Sequence, residues 1–393
     1  MSALRWRWAA TAVFALFLII TGYTLLQPVW PYAQQWLWLT TAVIAYQLAW
    51  LWHQLPHNRH SENGRLLPIF GLGNTISIGR GLLLGLLAGF LFVPRPDGGW
   101  AWLPALLYTI AALADIVDGY AARRTNTTTQ LGARLDITLD GQGLLIVIGL
   151  AIWYGLLPGW YILLALARYA WLAAIWLRQR WDWPVHELPP SVHRRTLAGL
   201  QMGFLSVILW PILPADGTQI AGWVMGGPLL LSFTRDWLIV IGWLEPTSPS
   251  YRQAQRQLYR LFGRWLPLLL RLLLGLLVLW WGSHYVSLLS GEWVDLLAQW
   301  GLPAGDGLVL ITAVFTFVAT LFITGGILTR FATWPLLLAI AGDISIQGVG
   351  LTNGFLLAAA LYLLQFGPGL YPLWAKEETF FVGRAGRVAV KAD

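Results

Sequence analysis

The chain has 393 residues, of which 57% are hydrophobic and 11% are charged, and its mean hydropathy is +0.62. These values exclude an ordinary soluble globular protein, and the absence of cysteine excludes disulfide bonds and thiolate metal sites. The net charge of +7 comes from basic residues at the ends of apolar segments, so it indicates membrane topology rather than nucleic-acid binding.

Apolar runs of about 20 residues recur along the chain, which predicts an all-α, polytopic helical membrane protein. Arg5 and Arg7 precede the first run and no small-residue cleavage site follows it, so we interpret this run as a signal anchor. Twelve membrane spans are predicted, at about residues 9–26, 36–52, 76–93, 100–121, 135–154, 160–177, 197–213, 220–243, 266–281, 309–327, 331–346 and 351–364.

The charge distribution predicts the orientation of these spans. Twelve spans put both termini on one side, and on that layout Arg95 is the only Lys or Arg in an outside loop. The positive-inside rule then places both termini in the cytoplasm. We therefore predict an integral protein of the plasma membrane.

Two polar segments divide the predicted spans into domains. Residues 53–68 form a polar linker, and residues 245–264 carry arginines four apart, along one side of a helix at the membrane surface or at a boundary. The predicted domains are an N-terminal helix pair with its linker (1–65), a six-helix core (66–245), a four-helix bundle (246–375) and a mobile polar tail (376–393).

Four aspartates stand out within the predicted core. Asp115 and Asp118 are three residues apart, Asp136 and Asp140 are four apart, and each pair shares one face of its helix. The threonine-rich run 124–131 suits a short turn, which would bring the two pairs together. An ionised Asp at the bilayer centre costs roughly 2.5–3.5 kcal/mol, and four carboxylates repel one another. Divalent cations, which prefer oxygen ligands, are the expected counter-charge.

The whole pattern is Asp115-x2-Asp118-Gly119-x2-Ala122-Arg123-x8-Gly132-x3-Asp136-x3-Asp140. With all eight specified residues present, it resembles the signature of the CDP-alcohol phosphatidyltransferases. Residues 74–80, Asn-Thr-Ile-Ser-Ile-Gly-Arg, are similar to the segment that opens the first core helix of that family, although Ile76 and Ser77 replace the commoner Leu and Thr. The resemblance extends over residues 66–243.

The resemblance implies a reaction and a set of site residues. It implies transfer of a phosphatidyl group from a CDP-lipid such as CDP-diacylglycerol to a small alcohol, with release of CMP. The topology predicted from the charges places the aspartates at the cytoplasmic side of the membrane. The resemblance leaves a homodimer open. It implies two divalent cations, Mg²⁺ or Mn²⁺, held by Asp115, Asp118, Asp136 and Asp140, with Asp140 also the general base. The residues expected at the nucleotide and phosphates are Asn74, Ser77, Gly119, Ala122, Arg123 and Gly132.

Charged residues outside the motif suggest the acceptor. Arg168 lies inside a span, where a lone arginine faces a cavity, and Arg194 and Arg195 begin the next span. Three arginines would suit a phosphorylated alcohol such as glycerol 3-phosphate or another phosphorylated polyol, whereas Arg194 and Arg195 also fit positive-inside residues at a helix end. Arg235 and Asp236 are expected to find separate partners, because adjacent residues do not share a helix face.

Other functions remain open at this point. The carboxylates could serve only to neutralise neighbouring arginines, or they could belong to a membrane transporter of cations or protons. A transporter would distribute its acids along a path through several helices, and metal-dependent CMP release in detergent would exclude it.

The C-terminal four-span unit, about residues 257–370, resembles DoxX-like membrane proteins. The residues that carry this resemblance are Gly326–Ala332 and Gly367–Gly369. Redox chemistry with quinone is a third hypothesis, but no haem, flavin or thiol signature supports it, so a partner or scaffold role is expected.

Overall fold

The computed structural model describes residues 1–188, 192–285, 291–300, 306–376 and 378, without the side chains of 192–195, 281–285, 291 and 306. Within this part of the chain the regular structure is helical, because a backbone in lipid must satisfy its own hydrogen bonds. The helices are α1 (Ser2–Leu26), α2 (Ala33–Gln54), α3 (Gly71–Ala88), α4 (Leu103–Arg124), α5 (Gln130–Trp153), α6 (Ile162–Arg180), α7 (Val192–Ile208), α8 (Ala215–Val240), α9 (Pro249–Arg260), α10 (Leu266–Tyr285), α11 (Gly291–Gln299), α12 (Asp306–Gly325), α13 (Thr329–Gln347) and α14 (Leu351–Phe366).

Each of the twelve predicted spans falls on a helix. By length and composition, seven helices of the described chain could cross a membrane, and two shorter apolar helices, Thr196–Ile208 and Leu351–Phe366, accompany them. The prediction of a polytopic helical membrane protein is confirmed. The count of twelve crossings and the cytoplasmic termini remain predictions.

The chain separates into two compact units. One unit comprises Met1–Leu166 and Met202–Pro211, and the other comprises Ala167–Gln201 and Ile212–Asp393. This division does not test the predicted domain boundaries, which stay predictions. The predicted polar tail lies outside the described residues except for 376 and 378.

In the first unit, α3 is the central helix, since α2, α4 and α5 all pack against it. α2 approaches closely because Gly85 of α3 and Gly89, directly after α3, leave room for Ile44 and for the Trp36 ring. The Trp36 indole nitrogen also donates a hydrogen bond to the Leu86 carbonyl at 3.1 Å. The second helix of the N-terminal pair is therefore packed directly onto the helix that carries the family-like segment 74–80.

In the second unit, two buried arginines join segments that are far apart along the chain. Arg271 of α10 donates to the Leu370 carbonyl at 2.7 Å and to the Tyr371 carbonyl at 2.8 Å. Arg330, at the start of α13, donates to the Leu364 and Gln365 carbonyls, which belong to the last turn of α14. The Leu364 and Gln365 carbonyls lie in the last turn of a helix, where backbone carbonyls have no partner within the helix.

Candidate active site

The turn between α4 and α5 sets the position of the aspartates. After α4 ends, Asn126 adopts a left-handed backbone conformation with φ of 51°, which asparagine tolerates better than most residues. The Thr129 hydroxyl then accepts a hydrogen bond from the Gly132 amide at 3.0 Å and caps α5. The chain therefore turns within the threonine-rich run, as the sequence predicts.

The carboxylates of Asp115, Asp136 and Asp140 form one group, in which one oxygen of each lies within 4.8 Å of the others. α4 and α5 make little direct contact with each other, and each packs along α3 instead. The predicted convergence of the two aspartate pairs is thus found for three of the four side chains, and α3 is the helix that brings them together.

Arg80 of α3 lies among these three carboxylates. Its guanidinium contacts Asp115, and Nη2 lies 3.3 Å from Asp140 Oδ1 and 3.6 Å from Asp136 Oδ1. The Arg80 side chain is only 4% exposed, whereas those of Asp136 and Asp140 are 59% and 41% exposed. Arg80 was not among the predicted site residues, although it ends the segment 74–80 that carries the second resemblance.

Asp118 stands apart from the three-carboxylate group. It is buried, and it accepts a hydrogen bond from the Ser77 hydroxyl at 2.7 Å. The bond joins α3 to α4. The predicted metal role of Asp118 and the predicted phosphate role of Ser77 stay predictions.

A pocket of about 240 Å³ opens beside the carboxylates. It is formed by α3, by the second half of α4, by the start of α5 and by the linker before α3. Its lining residues are Ser61, Gly73, Asn74, Ser77, Asp118, Gly119, Ala122, Arg123, Thr128, Thr129, Gly132, Ala133 and Asp136. All six residues that the resemblance assigns to nucleotide and phosphate binding line this one pocket.

Two glycines of the motif leave space for polar side chains at the pocket wall. A Cβ on Gly132 would lie 2.6 Å from Asn74 Oδ1, and a Cβ on Gly119 would lie 3.2 Å from Arg123 Nη1. The missing side chains therefore let Asn74 approach α5 and let the Arg123 guanidinium fold back over α4. Arg123 is exposed, so its charge is accessible from the pocket.

Residues 58–67 of the predicted linker form a strap across the α4–α5 turn. The Gln130 amide donates to the Arg59 carbonyl at 2.9 Å, and the Ser61 amide donates to the Thr128 carbonyl at 2.9 Å. Ser61 thereby becomes part of the pocket wall. The linker predicted to separate two domains thus forms part of the candidate site.

Buried polar side chains fix the strap in place. The Asn74 amide donates to Asn58 Oδ1 at 3.0 Å and to Thr129 Oγ1 at 2.8 Å, which joins the strap, α3 and α5. His60 Nε2 lies 3.1 Å from the Asn126 carbonyl, where it acts as the donor. The Asn74 amide is thus used within the protein at the edge of the pocket.

The residues of the three-carboxylate group fit divalent cations. One guanidinium charge opposes three carboxylate charges, which leaves an excess of two negative charges where hard oxygen ligands converge. The alternative hypothesis was that the carboxylates only neutralise arginines. It holds for one of the three charges, which Arg80 balances. A metal of the kind that binds oxygen ligands, Mg²⁺ or Mn²⁺, matches the remaining charge.

The predicted acceptor arginines belong to other helices. Arg168 is half-buried on α6 in the second unit. Arg194 and Arg195 lie on α7, but their side chains are not among those that the structure describes. Their acceptor role stays a prediction.

The expectation for Arg235 and Asp236 was wrong, because they pair with each other, with Arg235 Nε 3.0 Å from Asp236 Oδ1. The long arginine side chain folds back far enough to reach its neighbour.

The central part of the chain is similar to a family of known proteins. Residues 70–234 match the family model described as CDP-alcohol phosphatidyltransferase. The predicted resemblance to this family is confirmed over these residues. The match does not extend to the C-terminal bundle, so its DoxX-like resemblance stays a prediction.

Two relatives support the same class of enzyme. A protein of Mycobacterium bovis and one of Mycobacterium tuberculosis, both named "Putative cardiolipin synthase", are each 32% identical to this chain over 130 residues. The aligned segment is 32% of this chain, and the chain spans 60% of the length of each of these curated relatives. No solved structure matches.

Proposed function

We propose that this protein transfers a phosphatidyl group from a CDP-lipid to an alcohol and releases CMP. The observation that carries the proposal is the three-carboxylate group, with oxygens within 4.8 Å, beside a pocket lined by the remaining residues of the same motif. Carboxylates that gather on one helix pair beside a polar pocket suit a nucleotide diphosphate better than an ion path through several helices. This arrangement argues against the transporter alternative.

In the proposed reaction, the cytidine diphosphate part of the lipid occupies the pocket, with Arg123 at its phosphates. Asp140 accepts the proton of the acceptor hydroxyl. The acceptor oxygen forms a bond to the lipid-side phosphorus, the bond from that phosphorus to the bridging oxygen breaks, and CMP leaves with that oxygen. Mg²⁺ or Mn²⁺, held by Asp115, Asp136 and Asp140 with Asp118 as a further ligand, would neutralise the pyrophosphate and make CMP a better leaving group.

The acceptor alcohol belongs to one of two chemical classes. Arg168, Arg194 and Arg195 support a phosphorylated polyol such as glycerol 3-phosphate, whose charge an arginine binds well. The name of the two relatives supports a lipid acceptor, since cardiolipin contains two phosphatidyl groups joined by glycerol. We propose the phosphorylated polyol first and a phosphatidylglycerol headgroup as the competing acceptor.

We infer that the pocket opens toward the cytoplasm of a plasma-membrane protein, because soluble phosphorylated alcohols and released CMP are then directly accessible. The positive-inside distribution of the arginines supports this orientation. The C-terminal bundle is proposed as a scaffold.

The test uses the purified full-length chain in detergent micelles, where no gradient can drive transport. CDP-diacylglycerol is incubated with a panel of acceptors that includes glycerol 3-phosphate and phosphatidylglycerol, and both CMP and the mass of the lipid product are measured. Metal-dependent CMP release with one new lipid product is expected. Removing Mg²⁺ with EDTA should abolish the release of CMP.

The variant Asp140→Asn tests the base. We expect its CMP release to fall by about 10²–10⁴-fold, the usual range for loss of a general base, while Mn²⁺ binding to the remaining carboxylates persists. Asp97→Asn is the matched control, because Asp97 is an exposed carboxylate in the loop before α4. Near-normal turnover by Asp140→Asn would remove Asp140 from the base role.

A further inference from the structure

α9 is a short basic helix that leads into α10, and its arginines form a stripe. Arg252, Arg256 and Arg260 follow one another at intervals of four residues, so they lie within about 80° of the helix circumference. Arg264 extends the same spacing into the π-helical turn Leu261–Trp265. All four side chains are exposed.

The opposite side of the same segment is apolar and also exposed. Leu258 is 56% exposed, Phe262 is 52% exposed and Trp265 is 44% exposed. No residue of α9 is buried. The segment is therefore amphipathic, and in the described structure its apolar side is only partly covered by protein.

The arginines have no protein partner among the described residues. They take part in none of the ion pairs or side-chain hydrogen bonds of that part of the chain. Residues 249–264 contain no Asp or Glu. The positive charge of this stripe is therefore available to an external anion.

The position of α9 indicates which anion. Pro249–Trp280 forms one continuous helical stretch of 32 residues whose apolar part is long enough to cross a membrane. The hydrocarbon core needs about 20 residues of helix, so the first turns of this stretch lie at the headgroups. An amphipathic helix with arginines on one side and aromatic and aliphatic side chains on the other suits the membrane interface.

We propose that the α9 arginine stripe binds the headgroups of anionic phospholipids and holds them next to the protein. The apolar side would enter the boundary of the acyl chains while the arginines face the phosphates. The attraction per arginine near an anionic surface corresponds to about a fivefold change in affinity, and it falls with added salt. This lipid site is independent of the reaction in the carboxylate pocket.

The experiment uses the natural absence of cysteine. Gln253, an exposed residue beside the stripe, is changed to cysteine (Gln253→Cys), and a fluorescent donor is attached to the full-length chain in nanodiscs. Energy transfer is compared for acyl-labelled phosphatidylglycerol and acyl-labelled phosphatidylcholine. We expect phosphatidylglycerol to be enriched about fivefold around the donor at low salt, and less so at high salt.

The variant Arg252→Gln/Arg256→Gln/Arg260→Gln should lower this ratio toward one, because Arg264 is then the only arginine of the stripe that remains. The corresponding triple lysine variant should preserve the ratio, because the charge remains. Gln255→Ala/Gln257→Ala is the matched control on the same helix and should also preserve it. A thermal melt of each variant checks folding.

A ratio of one for the unchanged arginines, or an unchanged ratio in the glutamine variant, would overturn the proposal. RNA and an acidic peptide are added separately to phosphatidylcholine nanodiscs as alternatives. If either one changes the donor signal while phosphatidylglycerol does not, the stripe serves a different partner and the lipid proposal is wrong.

Discussion

Arg80 determines how much negative charge the aspartate cluster retains without metal. Its guanidinium is nearly fully buried and lies among three carboxylates, two of which are half exposed. A charge in this position reduces the repulsion among the carboxylates and also competes with cations for the same oxygens. The same side chain should therefore stabilise the metal-free protein and weaken metal binding.

The variant Arg80→Gln tests this balance. Without metal we expect it to lower the free energy of unfolding by about 1–3 kcal/mol, less than for a fully buried pair because two carboxylates are half exposed. We also expect Mn²⁺ to raise the melting temperature of the variant by more than it raises that of the unchanged protein. Thermal melts with EDTA and with Mn²⁺ measure both effects.

Two further variants make the comparison specific. Arg80→Lys keeps the charge and should respond to Mn²⁺ much as the unchanged protein does. Arg271→Gln removes another buried arginine, but one that contacts carbonyls rather than carboxylates, so its loss of stability should not depend on metal. An equal Mn²⁺ effect in Arg80→Gln and the unchanged protein would show that Arg80 does not compete with metal.

The residues of the candidate site were predictable where they share one local pattern. Helical spacing places Asp115 and Asp118, and likewise Asp136 and Asp140, on common helix faces, and the intervening threonines predict the turn. Arg80 could not be placed in this way, because its contact with the carboxylates depends on the packing of α3 against α4 and α5. Spacing within one helix does not specify packing between helices.

At the scale of elements, the strap shows the same limit. The polar composition of this segment predicted a linker, and residues 58–67 form no helix. Its position depends on hydrogen bonds to residues far along the chain, such as the one from the Asn74 amide to Asn58 Oδ1. Composition alone therefore identified a loop but not its place in the pocket wall.

The close approach of α3 and α4 depends on one glycine. A Cβ on Gly73 would lie 2.6 Å from Ala122 Cβ and 3.0 Å from the Asp118 carbonyl oxygen, and a backbone atom cannot move aside as a flexible side chain can. We expect Gly73→Ala to lower the free energy of unfolding by about 1–3 kcal/mol through overpacking. A melting temperature several degrees lower in detergent would report this loss.

Gly79→Ala is the control for this prediction, since Gly79 lies on the same helix and a Cβ there would meet nothing within 4 Å. Alanine is the better helix former, so Gly79→Ala should leave stability unchanged or raise it by up to about 1 kcal/mol. If both alanine variants melt at the same temperature, close contact at Gly73 does not limit the packing of α3 on α4.

At the scale of the whole molecule, the second unit crosses the predicted boundary at residue 246. α14 packs against α8, although the sequence assigns these helices to different domains. The Gln365 side-chain amide donates to the Met225 carbonyl at 3.3 Å, and a Cβ on Gly354 would lie only 3.6 Å from Ile220 Cδ1. Helices in membranes associate through such close van der Waals packing and hydrogen bonds. The C-terminal bundle therefore supports α8, most of which lies within the family match.

This packing predicts the result of removing the bundle. A chain that ends at residue 250 keeps α8 but loses α13 and α14, so we expect a lower melting temperature and strongly reduced CMP release. Residues 246–393 expressed as a separate chain in the same cells should restore both, because the packing needs no covalent link. A truncated chain as stable and as active as the full-length protein would mean that α8 needs no support from α14, and that the domains separate near the boundary that composition predicts.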